Sequence, residues 1–124
     1  MTTTVSTQEI VETYASAWNE PDESKRRTLL EKAWADDGVY TDPQSHVEGR
    51  EALIQLIAGF HQQAPGARIL PASGVDEHHG RLRFGWKMAG ADGSTVIEGI
   101  DVGELAPDGR IQRIVGFFGP LPAA

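Results

Sequence analysis

The spacing of the apolar residues changes near residue 66, and this change constrains the fold more than any other feature of the sequence. Before residue 66, apolar residues recur every three or four positions, which is typical of amphipathic helices. After it they alternate with polar residues, which is typical of strands. Helices that are followed by tightly connected strands predict an α+β fold, with three N-terminal helices packed on one face of an antiparallel sheet.

The predicted helices cover residues 7–19, 22–35 and 50–63. Ser6 followed by Glu9 has the spacing of a capping box, and Asp22 is a suitable cap for the second helix. The basic run Lys25-Arg26-Arg27 falls on the outer face of that helix, so we expect it to be solvated. The inward positions of the third helix are Leu53, Ile54, Leu56, Ile57 and Phe60.

A short extended segment is predicted between the second and third helices. It covers residues 38–43 and ends at Pro43, because proline and the residue before it interrupt regular structure. Residues 44–48 are then predicted to form a loop that leads to Gly49 and the third helix.

The predicted strands after residue 66 cover 67–77, 81–89, 94–105 and 111–118. Their connectors contain Gly80, Gly93 and Gly109, and glycine readily adopts the positive φ that a tight hairpin needs. The second of these strands alternates cleanly. Its inward positions are Leu82, Phe84, Trp86 and Met88.

Length and composition narrow the class of protein. The 124 residues suit one domain, predicted over 7–120 after a flexible tail at 1–6. The net charge of −7 argues against nucleic acid and membrane surfaces as partners. The absence of cysteine excludes disulfides and thiolate chemistry. Without a secretory signal at the N-terminus or a long apolar run, a cytoplasmic protein is expected.

Three polar residues occupy positions where a plain core would be apolar. Tyr14 lies in the apolar stripe of the first helix, where a structural tyrosine is the simpler interpretation. Asp42 precedes Pro43, where it could merely initiate a turn. Asp101 lies mid-strand, on a face whose neighbours Gly99 and Gly103 leave room for something else. If this face is the inner one, burial would raise the pKa of Asp101; otherwise Asp101 is a solvated edge residue.

These positions belong to three segments with a family resemblance. The segments are Tyr14-Ala15-Ser16-Ala17-Trp18-Asn19, Ala35 through Asp42-Pro43, and Ile100-Asp101-Val102 through Asp108-Gly109-Arg110-Ile111 to Phe117-Phe118-Gly119. The chain resembles the ketosteroid isomerase and SnoaL-like polyketide cyclase branch of the nuclear-transport-factor-2-like superfamily. The resemblance implies a cone-shaped fold in which the helices close a strongly curved sheet around a pocket, usually in a homodimer.

The resemblance also implies roles for the three polar residues. The general base of the isomerase falls on Asp42, its phenol donor on Tyr14, and its protonated acid donor on Asp101. The implied activity is proton abstraction next to a carbonyl, with no metal and no organic cofactor. A longer second helical segment and a shorter loop after Asp42 point toward the cyclase-like group. The expected pocket wall, suited to a flat apolar carbonyl compound, is Trp18, Leu56, Phe60, Phe84, Trp86, Met88 and Phe118.

Several alternatives remain open at this point. The chain could be a dehydratase or an epoxide hydrolase, a non-catalytic module that binds an apolar ligand, or a dimer-forming domain with a filled interior. His46 follows Asp42 closely and could reach the pocket, although a surface position is the simpler expectation. His61 is expected to favour the C-terminal end of the third helix. His78 and His79 are adjacent at a hairpin and face opposite ways, so they argue against a metal site.

Overall fold

The computed structural model describes residues 6–124. Its elements, in chain order, are α1 (Thr7–Asn19), α2 (Glu23–Ala33), β1 (Trp34–Asp42), β2 (Ser45–Glu48), α3 (Arg50–Gln63), β3 (Arg68–His78), β4 (Arg81–Ala89), β5 (Thr95–Leu105) and β6 (Ile111–Phe118). The flexible tail predicted over residues 1–6 lies outside the described residues, apart from Ser6. None of the helices within this range combines the length and apolar character needed to cross a bilayer.

Both predicted helix caps are formed. Ser6 Oγ accepts a hydrogen bond from the backbone N–H of Glu9 at 3.1 Å, and Asp22 Oδ2 accepts one from that of Lys25 at 2.9 Å. Helices α1 and α3 have the predicted bounds. Helix α2 ends at Ala33, two residues earlier than predicted, because Trp34 and Ala35 already belong to β1.

Arg26 is buried, which corrects the prediction that the basic run of α2 is solvated. Its side chain is only 2% exposed. The guanidinium donates hydrogen bonds to the carbonyl oxygens of Glu20 at 2.8 Å and of Pro21 at 3.3 Å. A buried charged group needs such acceptors, so Arg26 fixes the turn between α1 and α2.

The six strands form one curved, open sheet in the order β2-β1-β6-β5-β4-β3. Strand β1 runs parallel to β6, and the other neighbouring strands are antiparallel. The sheet is therefore mixed, whereas the hairpin spacing predicted an antiparallel one. The predicted loop over residues 44–48 is largely the short strand β2, which pairs with β1 and places Asp42 opposite Ser45.

The three helices pack on one face of the sheet, in the nuclear-transport-factor-2-like α+β cone fold. The largest completely buried apolar side chains of the core are Leu30, Trp34, Leu53, Ile54, Ile57, Ile111 and Ile114. All of them come from α2, α3, β1 and β6. By contrast, inward residues of β3 and β5 such as Ile69, Val75 and Ile97 are only partly buried. This looser side of the interior surrounds a cavity.

Candidate active site

The cavity has a volume of about 1140 Å³ and lies between α1, α3 and the inner faces of the strands. Such a volume excludes the alternative of an interior filled by side chains. All ten site residues that the sequence predicted lie on its wall, namely Tyr14, Trp18, Asp42, Leu56, Phe60, Phe84, Trp86, Met88, Asp101 and Phe118. Helices α1 and α3 and strands β1, β4, β5 and β6 each contribute at least one of them.

The strand order brings the two carboxyl groups together although they are far apart in the sequence. Asp42 ends β1 and Asp101 lies in the middle of β5, and these strands flank β6 on either side. Gly116 of β6 is the register partner of Asp101. A Cβ atom on Gly116 would lie 2.9 Å from Asp101 Oδ1 and 3.5 Å from Asp42 Cβ. The missing side chain therefore lets both carboxyl groups approach the same part of the cavity.

Asp101 points inward and is 6% exposed, which decides between the buried and the solvated positions that the sequence left open. The indole Nε1 of Trp86 donates a hydrogen bond to its Oδ1 at 2.9 Å. Burial raises the pKa of Asp101 to about 7, the hydrogen bond from Trp86 opposes this rise, and the charge of Asp42 adds to it. Near neutral pH, a large fraction of Asp101 is thus a neutral acid that can donate a hydrogen bond.

Tyr14 is a buried phenol whose hydroxyl makes no hydrogen bond to the part of the chain that the structure describes. Its ring stacks on Trp34, with the centroids 5.4 Å apart. Its hydroxyl and Trp34 Nε1 are the two buried side-chain polar atoms that have no hydrogen-bond partner within residues 6–124. Burial, followed by the nearby charge of Asp101, raises the pKa of Tyr14 well above its ordinary value. The phenol therefore stays neutral and keeps its proton to donate.

Tyr40 is a member of the site that the sequence analysis missed. Its hydroxyl donates a hydrogen bond to Asp42 Oδ2 at 2.7 Å, while the backbone N–H of Gln44 donates to Asp42 Oδ1 at 2.8 Å. Burial, more than any other cause, raises the pKa of Tyr40, so this phenol also remains neutral. The two donors fix the orientation of the Asp42 carboxyl group. The sequence could have indicated Tyr40, because Tyr40 and Asp42 are residues i and i+2 of a strand and therefore share a face.

Several aromatic rings contribute to the apolar part of the cavity wall. Trp18 lies between Tyr40 and Phe60, with centroid distances of 5.4 Å and 5.7 Å. Trp86 meets Phe118 edge-on at 5.6 Å. Each pair is tilted or perpendicular, which is a favourable arrangement for aromatic side chains. This wall suits a flat apolar molecule.

The glycines beside Asp101 do not leave the empty space that the sequence suggested. A Cβ atom on Gly99 would overlap the indole ring of Trp86 and the carbonyl oxygen of Phe117. A Cβ atom on Gly103 would overlap the backbone of Arg113 and the side chain of Ile114. The space beside Asp101 is therefore filled by side chains and backbone, and the cavity opens elsewhere.

The histidines lie outside the chemistry of the cavity. His46 Nδ1 is 2.8 Å from the hydroxyl of Thr41, and its side chain is largely exposed. His61 Nε2 donates to the carbonyl oxygen of Trp18 at 2.9 Å and so joins α3 to α1. The rings of His78 and His79 meet edge-on at the turn between β3 and β4, where His79 has a φ of 52°.

The fold and the cavity first define the class of protein. The chain is a nuclear-transport-factor-2-like α+β protein with an internal pocket. A family model of the SnoaL-like domain matches residues 11–114, and the chain therefore belongs to the SnoaL-like family. No curated protein matches the chain.

Solved structures agree with this membership. A candidate isomerase of the SnoaL-like family from Agrobacterium tumefaciens is 39% identical, with a TM-score of 0.85 over 90% of this chain and 95% of that one. Two more distant structures show similarity of fold alone. One is a nuclear-transport-factor-2-like protein of unknown function from Cytophaga hutchinsonii, at 18% identity and a TM-score of 0.72, covering 97% and 96% of the two chains. The other is a candidate polyketide cyclase from Sinorhizobium meliloti, at 20% and 0.69, covering 87% and 93%.

Proposed function

We propose that the protein is a cofactor-independent isomerase or cyclase that removes a proton next to a carbonyl group. The observation that carries the proposal is the unpartnered hydroxyl of Tyr14, which is buried in a protein that places Asp101 and Asp42 on the same cavity wall. An unsatisfied buried donor costs free energy unless a ligand accepts its hydrogen bond. A carbonyl oxygen of the substrate is a suitable acceptor.

The proposed reaction begins at Asp42. Its carboxylate takes a proton from the carbon next to the carbonyl, and the electron pair of the broken C–H bond moves to the carbonyl oxygen. Tyr14 and protonated Asp101 donate hydrogen bonds to the resulting oxyanion. In an isomerase, Asp42 returns the proton to another carbon of the dienolate. In a cyclase, the enolate carbon attacks a second carbonyl of the same molecule, and Asp42 then protonates the new alkoxide.

The chemistry of the wall restricts the substrate. The aromatic residues around the cavity favour a flat apolar compound. The carboxylate of Asp42 would repel a carboxylate bound next to it, so we expect a ketone or an ester. The relative described as a candidate isomerase supports isomerisation as one form of the proposed reaction.

The experiment compares the wild type with Asp42→Asn. Each protein is supplied with a β,γ-unsaturated ketosteroid and with an aromatic polyketide ester, and both product formation and exchange of the α-proton with deuterated water are measured. Loss of the base should lower kcat by about 10²–10⁴-fold. Asp36→Asn, which changes an exposed aspartate of the same strand, is the matched control and should keep full activity.

Two results would contradict this mechanism. One is a wild type without turnover or exchange on either substrate. The other is an Asp42→Asn variant that is as active as the wild type.

One observation favours a second candidate, a module that binds an apolar carbonyl compound without turnover. Both oxygens of Asp42 already accept hydrogen bonds from the protein, which suits a fixed recognition group as well as a base. Tight binding of a steroidal phenol together with no proton exchange in any ketone would support this candidate over the enzyme.

We also propose that the protein forms a homodimer through the outer face of β5 and β6. Ile100 and Phe117 are opposite each other in register and are 50% and 58% exposed, with Val96 and Val102 nearby. Contiguous exposed apolar residues commonly mark an interaction surface. Glu104 and Arg113 are register partners at the edge of this apolar surface. They supply both signs of charge for a self-complementary two-fold contact.

Sedimentation analysis tests the dimer. Phe117→Glu should convert the wild-type dimer to a monomer, because two-fold symmetry would bury two like charges together. Leu121→Glu, at an exposed apolar residue outside the sheet, should leave the dimer intact. A monomeric wild type would refute the proposal.

A further inference from the structure

Gly59 is an unfavourable residue for its position. It lies within α3, four residues before Gln63, the last residue of this 14-residue helix. Glycine destabilises a helix interior relative to alanine because it gains more conformational freedom in the unfolded chain. Its φ is not among the positive values that would require glycine. A reason for glycine must therefore come from the surroundings of the missing side chain.

Packing within the protein does not supply that reason. A Cβ atom on Gly59 would meet no heavy atom within 4 Å among its neighbours. Gly99 and Gly103 differ in this respect, because a Cβ atom at either position would overlap neighbouring residues. The space beside Gly59 is therefore open, and Gly59 is one of the residues that line the cavity.

Gly59 lies on the face of α3 that lines the cavity. Leu56, Phe60 and Gln63 occupy the same face, at the spacing that places residues on one side of a helix. Leu56 and Phe60 are apolar, whereas Gln63 and Gln55 bring amide groups to the same wall. A ligand that binds along this wall would contact apolar side chains and would have hydrogen-bonding amide groups next to them.

We propose that Gly59 is a specificity-determining residue that keeps the α3 wall open for the distal rings of a multi-ring ligand. This inference rests on the proposed function, since it concerns the same cavity. A volume of about 1140 Å³ exceeds the usual range of roughly 300–1,000 Å³ for small-molecule pockets, so a single ring would leave most of it unused. In this proposal the carbonyl oxygen of the ligand is held at Tyr14 and Asp101, and its distal rings lie along Gly59, which lines the same cavity.

The experiment measures the binding of two phenols of different length to Gly59→Leu. The probes are 2-naphthol and estradiol, followed through the fluorescence of the cavity residues Trp18 and Trp86. The added side chain should weaken estradiol binding at least about tenfold, because it occupies the space of the distal rings, and should change naphthol binding less than about twofold. Gln62→Leu, an exposed neighbour on α3 outside the cavity wall, should bind both phenols like the wild type.

A second variant tests the cost of the glycine itself. Gly59→Ala should raise the melting temperature by about 3 °C, because it restores helix propensity without a clash. A lower melting temperature would reveal a packing role and overturn the proposal.

The binding outcomes separate this inference from the proposed function. If Gly59→Leu weakens the binding of both phenols equally, or of neither, the proposed role of Gly59 is wrong and the proposed function still stands. A wild type that binds 2-naphthol but not estradiol also overturns the role of Gly59. A wild type that binds neither phenol removes both proposals. Size-selective binding without any proton exchange keeps the role of Gly59 and removes the catalytic mechanism.

Discussion

Strands β4 and β5 are neighbours in the sheet, yet they distribute polar and apolar residues in opposite ways. On β4, Leu82, Phe84 and Trp86 face the interior, and Arg81 and Arg83 are exposed. This is the usual pattern for a sheet with one buried face. The strand is consequently a simple part of the core, with bulky apolar side chains inside and charge outside.

Strand β5 inverts this pattern. Its inner face carries Asp101 between two glycines, whereas Ile100 and Val102 on the outer face are exposed. The two strands are complementary, because Trp86 of β4 packs over Gly99 of β5 and donates its hydrogen bond to Asp101. Strand β4 supplies the bulky ring of Trp86, and strand β5 supplies both the glycine over which that ring packs and the titratable Asp101. Departures from the usual alternation thus mark both surfaces to which we assign a function.

The largest expected difference between the two faces of β5 concerns the pH dependence of stability. The pKa of an aspartate in an unfolded chain is about 3.9, and burial raises that of Asp101 to about 7. The unfolded chain therefore loses this proton first as the pH rises. The folded state should lose about 4 kcal/mol of stability from this group between about pH 4 and pH 7.

Asp101→Asn should remove this loss, because the amide cannot ionise and its oxygen can still accept the hydrogen bond from Trp86. Denaturant unfolding of both proteins from pH 4 to pH 8 measures the difference, and the variant should be the more stable protein at pH 8. Glu104→Gln on the exposed face of β5 is the control and should change stability by less than about 0.5 kcal/mol at either pH. If the free energy of unfolding varied with pH in the same way for wild type and Asp101→Asn, the raised pKa of Asp101 would be wrong.

A smaller difference is expected between a glycine of β5 and a glycine of β4. Gly99→Ala should destabilise the protein by about 3 kcal/mol, because its Cβ atom overlaps Trp86 and the backbone of Phe117. On β4, the Cβ atom of Gly85→Ala would come only to 3.4 Å from Ser73 Oγ, so the change should stay within about 1 kcal/mol. Denaturant unfolding measures both variants. Equal effects would show that the close packing of β4 on β5 is not what requires glycine.

Much of the fold could be predicted because it is encoded by local patterns. Helices α1 and α3 follow from apolar spacing and caps, and the four strands after residue 66 follow from alternation and glycine turns. The features that were missed depend on distant partners. The four-residue strand β2 is too short to show a pattern, and the parallel contact of β1 with β6 joins segments about 70 residues apart in sequence. Arg26 is buried by carbonyl groups that no side-chain pattern reveals.

The candidate site divides in the same way. Alternation along β5 places Asp101 on the same face as Gly99 and Gly103, but it leaves open whether that face is buried. The family resemblance indicates Tyr14, Asp42 and Asp101 as site residues. The hydrogen bond from Trp86 to Asp101 could not be predicted, because it depends on the register of two strands. Trp86 was predicted only as apolar wall, although its indole also holds the carboxyl group. Tyr40 could have been predicted from its i, i+2 relation to Asp42. The sequence analysis predicts only a short extended segment over residues 38–43, without assigning a role to Tyr40.

The smallest expected effect concerns this missed tyrosine and compares it with Tyr14. Tyr40→Phe removes a donor that orients Asp42, so kcat should fall about tenfold while KM stays the same. The free energy of unfolding should fall by about 1 kcal/mol. Tyr14→Phe instead removes the proposed donor to the oxyanion, so it should also weaken the binding of 2-naphthol, a mimic of the proposed dienolate. Steady-state kinetics and naphthol titration separate the two roles, because only a donor that faces the ligand affects both. If Tyr40→Phe weakened naphthol binding as much as Tyr14→Phe does, Tyr40 would contact the ligand itself, and Asp42 would be oriented by the backbone of Gln44 alone.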